Sequence, residues 1–192
     1  MYSDLNNSFT FLLDKPNKIP KWIFKNTKFL LAFLAGYADC EATWDIRKSN
    51  KNNIRFTFRI RTSDFKILQQ LANKLNKENY YATLNLEKEI NQLTNLGKYN
   101  ENFWCLAVQR KKDVVRLASK LLNYSRHYEK IRKMKLITKN SDKMHWNEIQ
   151  ELIIQLRKSI KKEHLKSSDN LDYKGVYIGT QQSNRETEII TS

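Results

Sequence analysis

Residues 54–61, IRFTFRIR, alternate without a break: Ile54, Phe56, Phe58 and Ile60 are apolar, while Arg55, Thr57, Arg59 and Arg61 are polar. Successive side chains of a strand point to opposite faces, so this stretch predicts a strand with one dry and one wet face. An antiparallel pair solvated on one side accommodates it. The partner precedes it: in 42–48, ATWDIRK, Ala42, Trp44 and Ile46 face one way and Thr43, Asp45 and Arg47 the other, with a turn at SNKNN between them. Three arginines on one strand face, with no acid on the same strand, suit phosphate and guanine contacts better than plain solvation.

The rest of the chain builds outward from that pair. Asn26 or Thr27 caps a helix over 28–38, with Phe29, Leu30, Phe33, Leu34 and Tyr37 at helical spacing. Ser63 or Asp64 caps a second, with Phe65, Leu68, Leu71 and Leu75 as its stripe. A third strand puts Ala82, Leu84 and Leu86 inward and Thr83, Asn85 and Glu87 outward. A polar loop over 91–102 leads to a fourth, with Trp104, Leu106 and Val108 inward. A helix using Val114, Leu117, Ala118 and Leu121 follows, and a later one carries Ile149, Leu152, Ile153, Leu156 and Ile160. The expected fold is α+β. Its α-β-β-α-β-β-α core, over about 28–125, has a four-stranded antiparallel sheet with helices on one face, plus C-terminal helices. Residues 1–27 read as an extension anchored by Phe9, Phe11, Leu12, Trp22 and Ile23, residues 28–165 as the main domain, and 166–192 as a polar tail.

Charge points to the partner. Lys+Arg number 35 against 20 Asp+Glu, a formal +15, which favours a polyanion. An anionic membrane surface is the competing partner. No apolar run approaches the roughly 20 residues that cross a bilayer, and the N-terminal stretch lacks the pattern of a secretory signal. Cys40 and Cys105 offer neither a disulfide framework nor metal-ligand spacing, so a reduced, intracellular setting is expected, in a prokaryotic cytoplasm or an organelle matrix. His127, His145 and His164 show no ligand spacing either.

The unusual segment is Leu34–Ala42, LAGYADCEA, where a smooth apolar helix ends on Asp39 and Glu41. Ala32 and Gly36, four apart, lie on one helix face and let another backbone approach closely. If two such ends meet, their carboxylates converge and call for a cation, Mg²⁺ being favoured by hard oxygen ligands.

This nonapeptide, with the element order around it and the arginine-faced strand, resembles the LAGLIDADG homing endonucleases over roughly residues 28–125. The resemblance implies a four-stranded sheet lying as a saddle over the DNA major groove, and motif helices packed at a two-fold interface through Ala32, Ala35 and Gly36. It implies catalytic Mg²⁺ bound by Glu41 and by the Cys40 carbonyl, with Asp39 shaping the helix end. Basic or polar help at the end of the fourth strand would come from one or more of Gln109, Arg110, Lys111 and Lys112, whose register the sequence leaves open, and Thr62 stands where a water-positioning Gln is sometimes found. The expected DNA-contact residues are Arg55, Thr57, Arg59 and Arg61 on the alternating strand, with Arg47, Asn50, Asn85 and Arg110 on its neighbours. A single motif implies a homodimer on a long pseudo-palindromic duplex. Cys40 and Ala42 depart from the commoner residues at their positions. The implied function is a site-specific, intron-encoded double-strand endonuclease. The alternative is the same fold acting as an RNA maturase on intron RNA, or as a DNA-binding protein without cleavage.

Overall fold

The computed structural model describes residues 17–94 and 97–169. Helix α1 spans Thr27–Glu41, β1 Ala42–Lys48, β2 Ile54–Thr62, α2 Phe65–Lys77 and β3 Ala82–Lys88. A small hairpin, β4 Leu93–Thr94 and β5 Gly97–Lys98, interrupts the segment expected to be loop. Then follow β6 Phe103–Val108, α3 Lys111–Leu121, α4 Tyr128–Lys139 and α5 Gln150–Asp169. The main sheet is four-stranded and antiparallel, in the order β1-β2-β6-β3.

The alternating strands fold as their pattern demands. Trp44, Phe56, Phe58, Ile60, Leu106 and Val108 are fully buried beneath the helices, with the Trp44 and Phe58 rings 4.5 Å apart. Leu34 of α1, Leu68 and Leu71 of α2, and Leu117 and Leu121 of α3 close over them. Burial of apolar side chains at this scale is the main favourable term in folding. The first strand pair is held in register from Ala42 opposite Ile60 to Lys48 opposite Ile54. A one-residue slip would turn the arginines into the core, which fixes that register.

Helix α1 runs three residues beyond the expected 38. Asn26 Oδ1 caps its start by accepting from the Lys28 N–H at 2.8 Å. At its end the Ala38 carbonyl accepts from the Ala42 N–H, and the Lys130 ammonium donates to it as well at 2.7 Å and to the Asp39 carbonyl at 2.6 Å, a group the helix terminus leaves without a backbone donor. Ala42 then enters β1 with φ −90°, a conformation open to any L-residue, so the turn has no need of glycine.

Other expectations are corrected. Leu86, placed inward by its alternation, is exposed, because β3 is an edge strand whose pairing with β6 shifts between Leu86 and Lys88. Leu152 is exposed, while Ile149 and Ile153 carry the burial of that stretch. Trp22 is 58% exposed, its edge against Phe29; Ile19 and Ile23 are the anchors, with the Ile19 N–H donating to Gln70 Oε1. The proposed anchors Phe9, Phe11 and Leu12, and the tail after 169, lie outside the described residues. Helix α4 has no counterpart in the sequence reading. It buries only Met134 and Ile137 fully among its many Lys and Arg residues, which hides the 3.6-residue period.

Candidate functional site

At the end of α1 the two acids part company. Asp39 turns into the protein and accepts from the Arg126 N–H at 2.6 Å, the His127 N–H at 3.1 Å and the Ser125 hydroxyl. It thereby caps the chain leading into α4. Burial opposes its charge, but these three donors and the nearby Lys130 ammonium outweigh burial and hold its carboxyl below the ordinary range. Glu41, the last residue of the helix, is exposed, and its carboxylate makes no hydrogen bond or ion pair among the described residues, although its charge acts on Lys130 and Tyr37. Burial lowers the Lys130 pKa, with Asp39 the largest opposing influence.

Beside Glu41 lies a shallow hollow lined by Ala32, Phe33, Gly36, Tyr37, Cys40 and Asp64. The Tyr37 hydroxyl donates to Asp64 Oδ2 at 2.8 Å; burial, then that carboxylate, pushes its phenol well above the usual value. Thr62 is buried, and its hydroxyl accepts from the Asp64 N–H at 3.4 Å. The outer face of α1 is an apolar stripe: Phe29 is 51% exposed, Ala32, Gly36 and Cys40 are exposed, and Phe33 stacks on Tyr37. A methyl group added at Gly36 would meet nothing within 4 Å. Ala35, expected on this face, is buried in the chain's own core, so it contributes no surface to a partner.

The expected catalytic helpers from the fourth strand do not reach this end. Gln109 Oε1 accepts from Arg55, which pairs across with Arg47. Lys111 donates to the Lys143 carbonyl, lies 5.5 Å from the Phe56 ring centre, and is tethered near Met144, whose carbonyl accepts from Ile54. Ile54 stands opposite Lys48, six residues along β1 from Ala42, or about 20 Å at strand rise. The cation that does stand at the motif end is Lys130. Nothing in the local pattern of α4 marks it, because only tertiary packing brings residues 38 and 130 together.

The arginine face of the sheet is assembled as the alternation indicates, except that Thr57, expected to be wet, is buried among the longer side chains around it. Arg47 is opposite Arg55, Asp45 opposite Thr57, and Thr43 opposite Arg59, with Cys105, Asn85 and Thr83 continuing across β6 and β3. Arg47, Arg55, Thr57, Arg59 and Gln109 line a concavity on it. A neighbouring hollow is lined by Tyr81, Asn85 and Arg110, the Arg110 guanidinium lying 4.0 Å from the Tyr81 ring centre. Asn50 is exposed in the short 3₁₀ turn between β1 and β2. The arginines of β2 lack acids on their own strand but find them on others, while Arg47 finds one on β1 itself. Asp45 accepts from Arg47 at 3.1 Å and from Arg59, and Glu87 accepts from Arg61 at 2.6 Å.

Among the described residues no helix is long and apolar enough to cross a membrane. No protein-family model matches the chain, and a search of curated proteins finds no match. Among solved structures, it is similar to the homing endonuclease I-CvuI in complex with the I-CreI target in the presence of Mg, at 16% identity and TM-score 0.43, covering 67% of this chain and 76% of that one. I-CvuI with its own target and Ca gives 17% identity and TM-score 0.45 over the same shares. The LAGLIDADG homing endonuclease I-GzeII, in complex with its DNA target, gives 20% identity and TM-score 0.40, over 58% of this chain and 35% of that one.

Proposed function

We propose that this chain is a site-specific double-strand DNA endonuclease that works as a homodimer, with Mg²⁺ at the joined ends of two α1 helices. The observation that carries this reading is the contrast within one helical turn: Asp39 is committed to the fold by three donors, while Glu41 stands exposed and unpaired on the same side as an uncovered small-residue stripe. A carboxylate there works against the helix macrodipole, so its placement favours a cationic ligand.

The donors present suit Mg²⁺. The Glu41 carboxylate and the Cys40 backbone carbonyl are hard oxygens, and neither Lys130 bond takes the Cys40 carbonyl. Among the described residues no three His, Cys, Asp or Glu side chains cluster as a ligand set. Mg²⁺ keeps several of its waters and takes one or two carboxylates plus substrate phosphate, and in this reading a second chain supplies the other carboxylate. When bound, Mg²⁺ supplies Lewis-acid stabilisation of phosphoryl charge and a water of lowered pKa. The chain's own residues do the rest. Glu41 holds its oxygens at the symmetry axis, and the fixed Lys130 ammonium places positive charge behind the helix end. The arginine face of the sheet grips the duplex and sets its register. Two copies bring a formal +30, twice the +15 of one chain, to a polyanion.

The test uses a supercoiled plasmid carrying the DNA that flanks the reading frame, joined without it, incubated with and without Mg²⁺. Cleavage that needs Mg²⁺ and is lost in Glu41→Gln, with duplex binding retained, is the expected result. Uncut plasmid bound by the dimer indicates a DNA-binding protein without cleavage, and tight binding to intron RNA in place of duplex indicates a maturase. Either outcome overturns the endonuclease reading.

A further inference from the structure

Resting on the reading that the sheet binds duplex DNA, we propose that Asp45 is a specificity-determining residue: it withholds two arginines from backbone phosphate and holds them, with its own carboxylate, toward base edges. Asp45 lies on β1 between the Thr43–Arg59 row and the Arg47–Arg55 row. Its Oδ2 accepts from Arg47 Nη2 at 3.1 Å and also from Arg59 Nη2. The Asp45 and Arg59 side chains are only 16% and 19% exposed, against 62% for Arg47. The Nε of Arg59 is buried without a partner among the described residues, so Arg59 is held in place by Asp45 with a donor unused.

A surface built only to grip phosphate has no use for an anion at its centre. A carboxylate there repels every phosphate that approaches, whatever the sequence. It accepts readily from the amino group of cytosine or adenine in the major groove, and the guanidiniums it orients match guanine O6 and N7. Contacts of this kind discriminate between sequences, while free arginines on phosphates only tighten binding. Asp45 also neutralises part of the repulsion between Arg47 and Arg55, which stand directly opposite each other. Stability and sequence-blind affinity therefore respond to its removal with opposite signs.

The full-length chain is tested as wild type, Asp45→Asn and Asp45→Asn with Arg47→Ala. The probes are a random-sequence duplex and a duplex enriched from a random pool by the wild-type protein. Asp45→Asn is expected to melt lower yet bind the random duplex several-fold tighter. Of the two arginines released, only Arg47 is exposed enough to reach a phosphate, so the salt dependence should steepen by about one phosphate contact, a change near 0.9 in the log–log slope. The preference for the enriched duplex should fall roughly tenfold, within the range of one base-pair contact. Adding Arg47→Ala should return the slope to the wild-type value. Equal weakening on both duplexes with preference kept marks Asp45 as an ordinary ion pair and overturns the inference while leaving the DNA reading intact. Failure of the wild type to bind either duplex overturns both. Should Asp45→Asn not fold, the exposed Arg47→Ala alone decides: it must lower preference as well as affinity, and an equal loss on both probes overturns the proposal.

Discussion

Gly36 offers a perturbation whose two consequences differ in sign. It is exposed on α1, and a Cβ built there meets no atom within 4 Å in the isolated chain. Replacing a helical glycine with alanine stabilises by about 1 kcal/mol, chiefly through backbone entropy. For a chain of 192 residues, that raises Tm by about 2–4 °C. If Gly36 and Ala32 instead face the same pair on a second copy, two new methyl groups enter a closely packed contact, where overpacking costs about 1–3 kcal/mol. At 1.4 kcal/mol per decade, dimerisation should weaken by about 5- to 140-fold. Thermal unfolding at high dilution reads the first effect, and sedimentation equilibrium across a concentration series reads the second. Gly36→Ala should thus give a more stable chain that associates less. If the variant is stabilised but associates as tightly as wild type, close packing across Gly36 is refuted. If it is destabilised at dilution, the space around Gly36 is not open.

Two further perturbations address the same helix end. Asp39→Ala leaves the Ser125 hydroxyl and the Arg126 and His127 amides without their acceptor, so unfolding in urea should show a loss of about 1–3 kcal/mol; a loss below about 0.5 kcal/mol, the scale of an ordinary surface change, contradicts the capping role. Because the Asp39 pKa is depressed in the folded chain, its contribution is present above the unfolded carboxylate value of about 4 and fades as pH falls below it; wild type and Asp39→Ala should therefore converge in stability under acid, and a constant gap counts against the assignment. Lys130→Met keeps most of the side-chain bulk but removes the donor to two carbonyls of α1; Mg²⁺-dependent cleavage should drop at least tenfold, in the range of a lost preorganised electrostatic contact, with duplex affinity nearly unchanged, whereas unaltered cleavage excludes Lys130 from the site.

The fold was legible where a single local period decided the outcome. Residues 42–48 and 54–61 read as one strand pair because an alternation of Trp, Phe and Ile with Arg and Thr can bury only one face, and the sheet keeps that register. The exposed side of α1 was equally readable from the four-residue spacing of Ala32 and Gly36, whereas Ala35, placed at the interface by the family resemblance, is turned into the core. What sequence alone could not decide was every pairing between distant segments. The tie of Asp39 to 125–127, the approach of Lys130 to the end of α1, and the removal of Lys111 to the far end of the sheet depend on how α3 and α4 dock. Periodicity fixes which face of an element is buried and is silent on which neighbour lies above it. Asp45 already lay on the wet face of the strand paired with the arginines, but Glu87 as the partner of Arg61 was invisible until the strand order placed β3 beside β6. The sequence by itself set a basic, one-sided sheet and a helix ending in acid; tertiary packing decided which acid is bound up in the fold and which is left exposed, because hydrogen-bond donors within reach of a carboxylate come from the fold and not from its neighbours along the chain.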